Sequence, residues 1–427
     1  MKLRTLLFTI AAVLALPSTA QYYVGGDISM LPSYEAAGAG YIDENGQTIT
    51  DMLQYLKGQG LNSLRVRLFV DPTQATTAER NQGARQDLDY VKTLCQRIKA
   101  AGFSLMLDFH YSDTWADPAQ QWTPASWQSL TDDQLQQKIY DYTKDCLLQL
   151  VAANATPDFI QTGNEISYGM LWGARGTNAN RCYTNSNAAN WQRFYALLKQ
   201  AARACREVCP QAKIILHSER VPKVDVLKDY FDRMKANAID YDVIGLSYYP
   251  YHHGSLAQLE KALQQAESYD KDIMIVETGY YYAWYPSDAG FNMTSTWPAT
   301  PAGQKTFANA LIEKLKSHER VVGLYWWFLE ACENNIPWQQ AVTPSGWYNA
   351  SLFNDTNTSD VGWPAGKVMP AMQTLKAFAE RGEASVNTIT ETATNDGRWY
   401  NLQGMQFNSR PQRRGLYIHN GQKTIVK

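Results

Sequence analysis

Short apolar runs recur along the chain, separated by longer amphipathic stretches, and this alternation limits the possible folds more than any other feature. Eight runs read as strands: Tyr23–Ser29, Ser63–Phe69, Ser104–Phe109, Phe159–Gly163, Lys213–His217, Val243–Ser247, Ile273–Glu277 and Val322–Trp327. Between them lie stretches of helical period, among them Leu88–Ala101, Asp132–Ala153, Trp191–Val208, Leu256–Tyr269 and Gly303–Ser317. Thr131 before Asp132-Asp133 and Asn190 before Trp191 are capping signals, and Gly102 closes the helix that ends at Ala101. Strand–helix alternation implies a parallel sheet. Eight units over about 350 residues fit a closed (β/α)8 barrel with enlarged loops better than an open doubly wound sheet. No GxGxxG or Walker-type loop is present, which argues against a nucleotide site.

The two ends lie outside this pattern. Lys2 and Arg4, the apolar stretch Leu6–Leu16 and the small-residue exit Pro17-Ser18-Thr19-Ala20 predict a signal peptide over 1–20, cut near Ala20-Gln21. The barrel is then expected over 21–384, in a protein that is secreted, periplasmic or held at the cell surface. Beyond Glu383 the composition shifts. Ser385–Asn395 reads as a linker, and Gly397–Lys427 as short alternating segments with turns at Asn408-Ser409 and Asn420-Gly421. That tail has six basic residues and no acidic one. Its layout resembles the C-terminal sorting tails of exported bacterial proteins; the alternative is a small β appendage with no function of its own.

Composition narrows the partners. A net charge of -2 with a pI near 6.3 argues against nucleic acid or an anionic membrane. No segment beyond the leader reaches the roughly 18 apolar residues of a membrane span. Six Cys (95, 146, 182, 205, 209, 332) could pair after export, and their spacing matches no zinc module. The 13 Trp and 26 Tyr suit either a large core or a cleft in which sugar rings stack on aromatic faces.

Two glutamates point to the second reading. Glu165 closes the run DFIQTGNEIS and Glu277 closes DIMIVETGY, so each would sit at the C-terminal end of a strand, the face on which such barrels build their active sites. A carboxyl pair at a barrel mouth is the equipment of glycoside hydrolysis. Asn164 can donate to a sugar 2-OH, and Glu165, partly desolvated, would protonate the leaving oxygen. Glu277 is the expected nucleophile. The two carboxylates, on strands four and seven, face each other across the barrel, a placement suited to a retaining pair. Each glutamate also has a bland reading, as a surface carboxylate after a cap or as a salt-bridged structural group.

Arg65 and Arg67 alternate on strand two and so face the interior, where buried guanidinium groups need carboxylate partners. Arg65 would hold Glu277 ionised; Arg67 would hold it or serve a structural ion pair. His110, Asp113, Trp115 and Asp117 form a substrate-binding cluster after strand three. Metal ligation competes there, although no third ligand set accompanies His110 and the aspartates. A Tyr of Ser247-Tyr248-Tyr249-Pro250 can hydrogen-bond the nucleophile. Of Trp326 and Trp327, only one can face the cleft.

At these residues the chain resembles the glycoside hydrolase family 53 endo-β-1,4-galactanases, within a larger clan of retaining barrels. The match runs from about Val24 to Ala379. It is carried by GGDIS (Gly25–Ser29), LRVRLF (Leu64–Phe69), DFHYSDTWADP (Asp108–Pro118), TGNEIS with GMLW (Thr162–Trp172), GLSYYP (Gly245–Pro250), VETG and GLYWW. The resemblance implies Glu165 as acid/base and Glu277 as nucleophile. It implies Asp27, Arg65, His110, Trp115, Asp117, Asn164, His217, Tyr249 and Trp327 as groups lining the cleft. The implied substrate is β-1,4-galactan or type I arabinogalactan, cleaved with retention; a monomer without a cofactor is expected. Other β-glycanases of the clan, a mannanase or glucanase, and a non-catalytic carbohydrate-binding barrel are the alternatives. Two departures stand out. Pro286-Ser287-Asp288-Ala289-Gly290 lacks the ligand density of the calcium loop many relatives carry, so the usual loop for Ca²⁺ is not evident and Ca²⁺ binding stays open. Trp327 is followed by Phe328-Leu329-Glu330 where some relatives continue Trp-Glu-Pro.

Overall fold

The computed structural model describes residues 21–183, 188–286, 289–344, 348–355, 362–382, 398–401, 406–407, 409–412, 415–419 and 422–426. The expected leader, the linker Ser385–Asn395 and the turn residues Asn408, Asn420 and Gly421 lie outside them. Two compact units are present, one over Tyr22–Ala379 and one formed by the described residues beyond Ala379.

The larger unit is a closed (β/α)8 barrel, as the alternation predicts. Its strands are β1 (Tyr23–Asp27), β2 (Ser63–Leu68), β3 (Ser104–Phe109), β4 (Phe159–Gln161), β5 (Lys213–Ser218), β6 (Val243–Tyr248), β7 (Asp272–Thr278) and β8 (Val321–Trp326), with β8 pairing parallel to β1. Closure depends on two glycines of the GGDIS segment. A Cβ on Gly25 would lie 1.7 Å from the Ser63 carbonyl oxygen, and one on Gly26 would lie 2.4 Å from that of Trp326. Only hydrogen at these positions lets β1 approach both neighbours.

Residues with interior parity form two layers. The lower is apolar, built from Met106, Phe159, Ile215, Val243, Met274, Val276 and Tyr325. One step nearer the C-terminal mouth the same faces carry Arg65, Asp108, Gln161 and His217, all fully buried. Charge in a barrel interior is tolerable only where each group finds a partner, and this layer becomes the floor of the site.

The helices follow their sequence signals closely. Thr131 caps the helix Asp132–Ala152 in a reciprocal box with Gln134. Asn190 does not cap: its helix already starts at Ala188, and its side-chain amide donates to the Ala179 and Arg181 carbonyls at 3.0 and 2.9 Å. It anchors the preceding loop instead. All six cysteines are free, buried thiols, with Cys205 and Cys209 one turn apart on a helix end.

The smaller unit holds a four-stranded antiparallel sheet ordered β10-β9-β11-β12, from β9 (Trp399–Tyr400), β10 (Gln406–Phe407), β11 (Gly415–His419) and β12 (Gln422–Val426). Trp399 stacks on His419 with ring centroids 4.2 Å apart.

Candidate active site

The C-terminal mouth of the barrel opens into a cavity of about 370 Å³. Glu165 and Glu277 both line it, with Asn164, Asp117 and His110 from the β3 and β4 ends and the rings of Trp115, Tyr249 and Trp327. Asp27, Arg65 and His217 are fully buried and stand behind these groups. Asp113 is not on the wall. Its carboxylate accepts from the Asp71 and Ala125 backbone N–H groups at 3.1 and 2.7 Å, which braces two loops.

Glu277 reaches the cavity because strand alternation breaks next to it. Met274 and Val276 both belong to the inner apolar layer, so a regular strand would turn Glu277 outward. The β6–β7 register shifts between Leu246 and Ser247: Leu246 pairs with Ile275, but Ser247 pairs with Glu277. This bulge returns the carboxylate to the interior. There its Oε1 lies 2.9 Å from Arg65 Nη2, and its Oε2 accepts from the Tyr249 hydroxyl at 3.0 Å. Arg65 is fixed in turn by Asp27 (3.2 Å), Asp108 (2.8 Å) and the Asn164 side-chain oxygen (2.9 Å).

Glu165 reaches the cavity by a different route. β4 ends two residues early, Gly163 takes φ +118°, and Glu165 itself sits in the left-handed region at φ +47°. Its Oε1 accepts from the Ser247 hydroxyl at 2.6 Å, and no cation pairs with it among the described residues. Burial pushes its carboxyl well above the ordinary range, and repulsion from Glu277 and then Glu219 adds to the effect. Burial raises Glu277 as well, but Arg65 opposes that rise and the Tyr249 hydroxyl works in the same direction as Arg65. The two carboxyls thus differ within one cavity: both are raised, but Glu165 more strongly and with only the Ser247 hydroxyl on its carboxyl, whereas Glu277 has Arg65 and Tyr249 beside it to favour its anion.

The remaining groups shape the space between them. Asn164 Nδ2 donates to the Ala116 carbonyl at 2.8 Å, which locks the β4 turn to the β3 loop. His110 Nδ1 accepts from Ala116 N–H at 3.0 Å, so its proton sits on Nε2, 3.1 Å from Asp108 but out of line for a hydrogen bond. Asp117 accepts from Ala119 N–H at 2.7 Å, and burial raises its carboxyl. Trp327 faces the cavity edge-on to Trp115 at 6.2 Å, whereas Trp326 turns into the core and donates its indole N–H to the Ala350 carbonyl. Trp115 also covers the Arg67 guanidinium at 4.7 Å, and Arg67 Nη1 pairs with Asp27 at 2.6 Å. Among the described residues no group of three or more His, Cys, Asp or Glu is arranged to hold a metal. Ser287 and Asp288 lie outside those residues.

Two participants, Ser247 and Gln161, escape a reading of the sequence, and a third, Glu219, is legible only as a carboxylate that ends strand five with His217. Glu219, after β5, lines the cavity and is tied to Arg220 at 2.9 Å. Ser247 touches Glu165 from the end of β6. Gln161 bridges Asp108, Asn164 and His217 from β4. Their interior parity was legible, but parity does not distinguish a polar filler from a working group.

Residues 23–374 match the model of glycosyl hydrolase family 53. An arabinogalactan endo-beta-1,4-galactanase of Cellvibrio japonicus is 33% identical over 356 residues, covering 79% of this chain and 88% of its own. The arabinogalactan endo-beta-1,4-galactanase A of Aspergillus niger is 31% identical, covering 74% of this chain and 88% of its own. Among solved structures, the GH53 catalytic domain of Ignisphaera aggregans superposes with a TM-score of 0.71 at 30% identity, over 87% of this chain and 99% of that one. A fungal beta-1,4-galactanase follows at a TM-score of 0.69 and 28% identity, over 84% and 99%. With the carboxyl pair seated at the mouth of an eight-stranded barrel, these likenesses identify the chain as a glycoside hydrolase that belongs to glycosyl hydrolase family 53.

Proposed function

We propose that the protein is an exported endo-β-1,4-galactanase that cleaves galactan and type I arabinogalactan with retention of configuration, acting as a monomer. The observation that carries the chemistry is the asymmetry of Glu165 and Glu277 within one cavity. Glu277, held by Arg65 and Tyr249, attacks the anomeric carbon while Glu165 gives its proton to the departing glycosidic oxygen. Glu165, now ionised, then takes a proton from water as that water displaces Glu277 from the anomeric carbon. Asn164, fixed by Arg65 and Ala116, presents to the sugar hydroxyl beside the reacting carbon, and Trp327 offers a ring face to the sugar being cleaved. No step calls for a metal or cofactor.

The choice of sugar rests on relatives named as arabinogalactan endo-beta-1,4-galactanases, and export rests on the leader-like residues 1–20. The test measures reducing ends released from linear β-1,4-galactan, β-mannan and β-glucan. Galactan is expected to be the substrate, and Glu277→Gln to lower its hydrolysis on the order of 10⁴-fold or more. Wild-type preference for mannan or glucan would overturn the substrate, and an active Glu277→Gln variant would overturn the chemistry. Retention is checked by proton NMR of the first product, which should carry the β-anomer. N-terminal sequencing of protein collected from the medium should begin at Gln21 if the leader is cut as expected.

A further inference from the structure

Glu165 is the proton carrier of the proposed reaction, yet no cation among the described residues pairs with it. Two buried neighbours on adjacent strands contact it directly. Ser247 Oγ lies 2.6 Å from Glu165 Oε1, and His217 Nε2 lies 2.8 Å from Ser247 Oγ. We propose that His217 and Ser247 form a one-way hydrogen-bond relay that fixes the aim and proton affinity of Glu165, making both positioning residues for the acid/base. This rests on the galactanase reading above and goes beyond it, because the family likeness implies His217 only as a group on the cleft wall.

The direction of the relay follows from donors that have no choice. The backbone N–H of Glu165 points at His217 Nδ1 at 3.2 Å, and the Gln161 amide lies 2.9 Å from the same nitrogen. A peptide N–H can only donate, so Nδ1 accepts and the imidazole proton sits on Nε2. That N–H donates to Ser247 Oγ. The single hydroxyl proton of Ser247 then goes to Glu165 Oε1. The Asn164 side-chain oxygen, 3.1 Å from Nδ1, does not disturb this order, since Arg65 and Gln161 already donate to it at 2.9 and 3.2 Å. Burial, first, and the charge of Arg65 depress His217 well below the ordinary imidazole range, so the ring stays neutral.

The relay has two consequences for the reaction. With Oε1 engaged, the acidic proton is left on Oε2, free to face the leaving oxygen. The bond from Ser247 strengthens when Glu165 becomes a carboxylate, which is the form produced as the proton passes to that oxygen and the anomeric C–O bond breaks. The other charged or titratable groups around Glu165 are Glu277 on β7, Glu219 after β5, Asp117 in the β3 loop and Tyr249 at the end of β6. The three carboxylates favour the protonated form. The Ser247 hydroxyl is the neighbour that favours the ionised form.

The experiment records kcat and KM against pH for wild type, Ser247→Ala and Ser247→Thr. It uses linear β-1,4-galactan and an aryl β-galactobioside whose dinitrophenolate leaves without acid assistance. Removing the hydroxyl raises the proton affinity of Glu165, so the alkaline limb of kcat/KM on galactan should move up by about one pH unit. kcat on galactan should fall about tenfold with KM within twofold, while kcat/KM on the aryl substrate changes little. Ser247→Thr, which keeps the hydroxyl, should restore both limb and rate. The relay is overturned if the limb of Ser247→Ala coincides with wild type, or if both substrates lose rate equally. Should the alanine variant not fold, Ser247→Cys carries the same test, because a thiol donates weakly and its limb must also rise. Wild-type inactivity on galactan would instead fault the function proposed above.

Discussion

At the scale of single residues, Glu165 combines a strained backbone with a buried carboxyl. A non-glycine residue at φ +47° costs on the order of 1–3 kcal/mol and persists only where its surroundings over-determine it. Here they do. His217 Nδ1 takes its N–H, and the Gln121 amide donates to the preceding Asn164 carbonyl at 2.7 Å. The strain turns the carboxyl out of the strand direction and toward the cavity. If its function is proton delivery, Glu165→Ala should lower kcat on galactan by about 10²–10⁴-fold. On a dinitrophenyl galactoside the first step should survive and the second should stall, so a pre-steady-state burst appears, and added azide should restore turnover. A variant with neither burst nor azide rescue would remove Glu165 from the acid/base role. Both glutamates were legible in the sequence because a carboxylate after a strand-like run is conspicuous. Glu219 was legible only as a carboxylate at the end of strand five, with no role, and Ser247 was not, since a serine at the end of a strand is equally at home as filler.

At the scale of elements, the period-2 and period-3.6 signals located every barrel strand to within two residues at either end. They could not show the β6–β7 bulge. Strict alternation sends either Val276 or Glu277 inward, and the structure sends both by slipping the register after Leu246. That slip is a property of two strands together, which no single run encodes. Helix starts divided along a similar line. Thr131 acts locally and was legible; Asn190 spends its amide on distant loop carbonyls, and the helix extends past it. The cap gives a direct test. Thr131→Ala removes the hydroxyl that accepts from the Gln134 N–H and leaves only the backbone half of the box, on an exposed helix start, at a cost of about 1 kcal/mol. The expected result is a melting temperature lower by roughly 1 °C with kcat unchanged. An unchanged melting temperature would mean that packing alone holds that end of the helix.

At the scale of the whole molecule, one buried group should couple the barrel's stability to pH. Glu330, in the Phe328-Leu329-Glu330 segment where some relatives carry Trp-Glu-Pro, is fully buried. Its Oε1 accepts from Met30 N–H at 2.7 Å, while Oε2 has no hydrogen-bond partner among the described residues. Burial, and then repulsion from Asp27, raises its carboxyl to about 8. An unfolded glutamate ionises near 4.5, so between that value and 8 the folded state holds a proton that the unfolded state has released. Folding stability is therefore complete below the unfolded value and declines as pH rises, by on the order of 1.4 kcal/mol per pH unit across the window, levelling off above 8. Glu330→Gln imitates the protonated carboxyl and cannot ionise. Guanidinium unfolding of both proteins at pH 5 and pH 8.5 isolates this group from every other titration they share. The variant should match or fall slightly below wild type at pH 5 and exceed it at pH 8.5. A difference between the two proteins that stays constant across that range would mean that Glu330 is ionised in the fold, and that its charge is met by a partner such as Arg67 instead of being suppressed by burial.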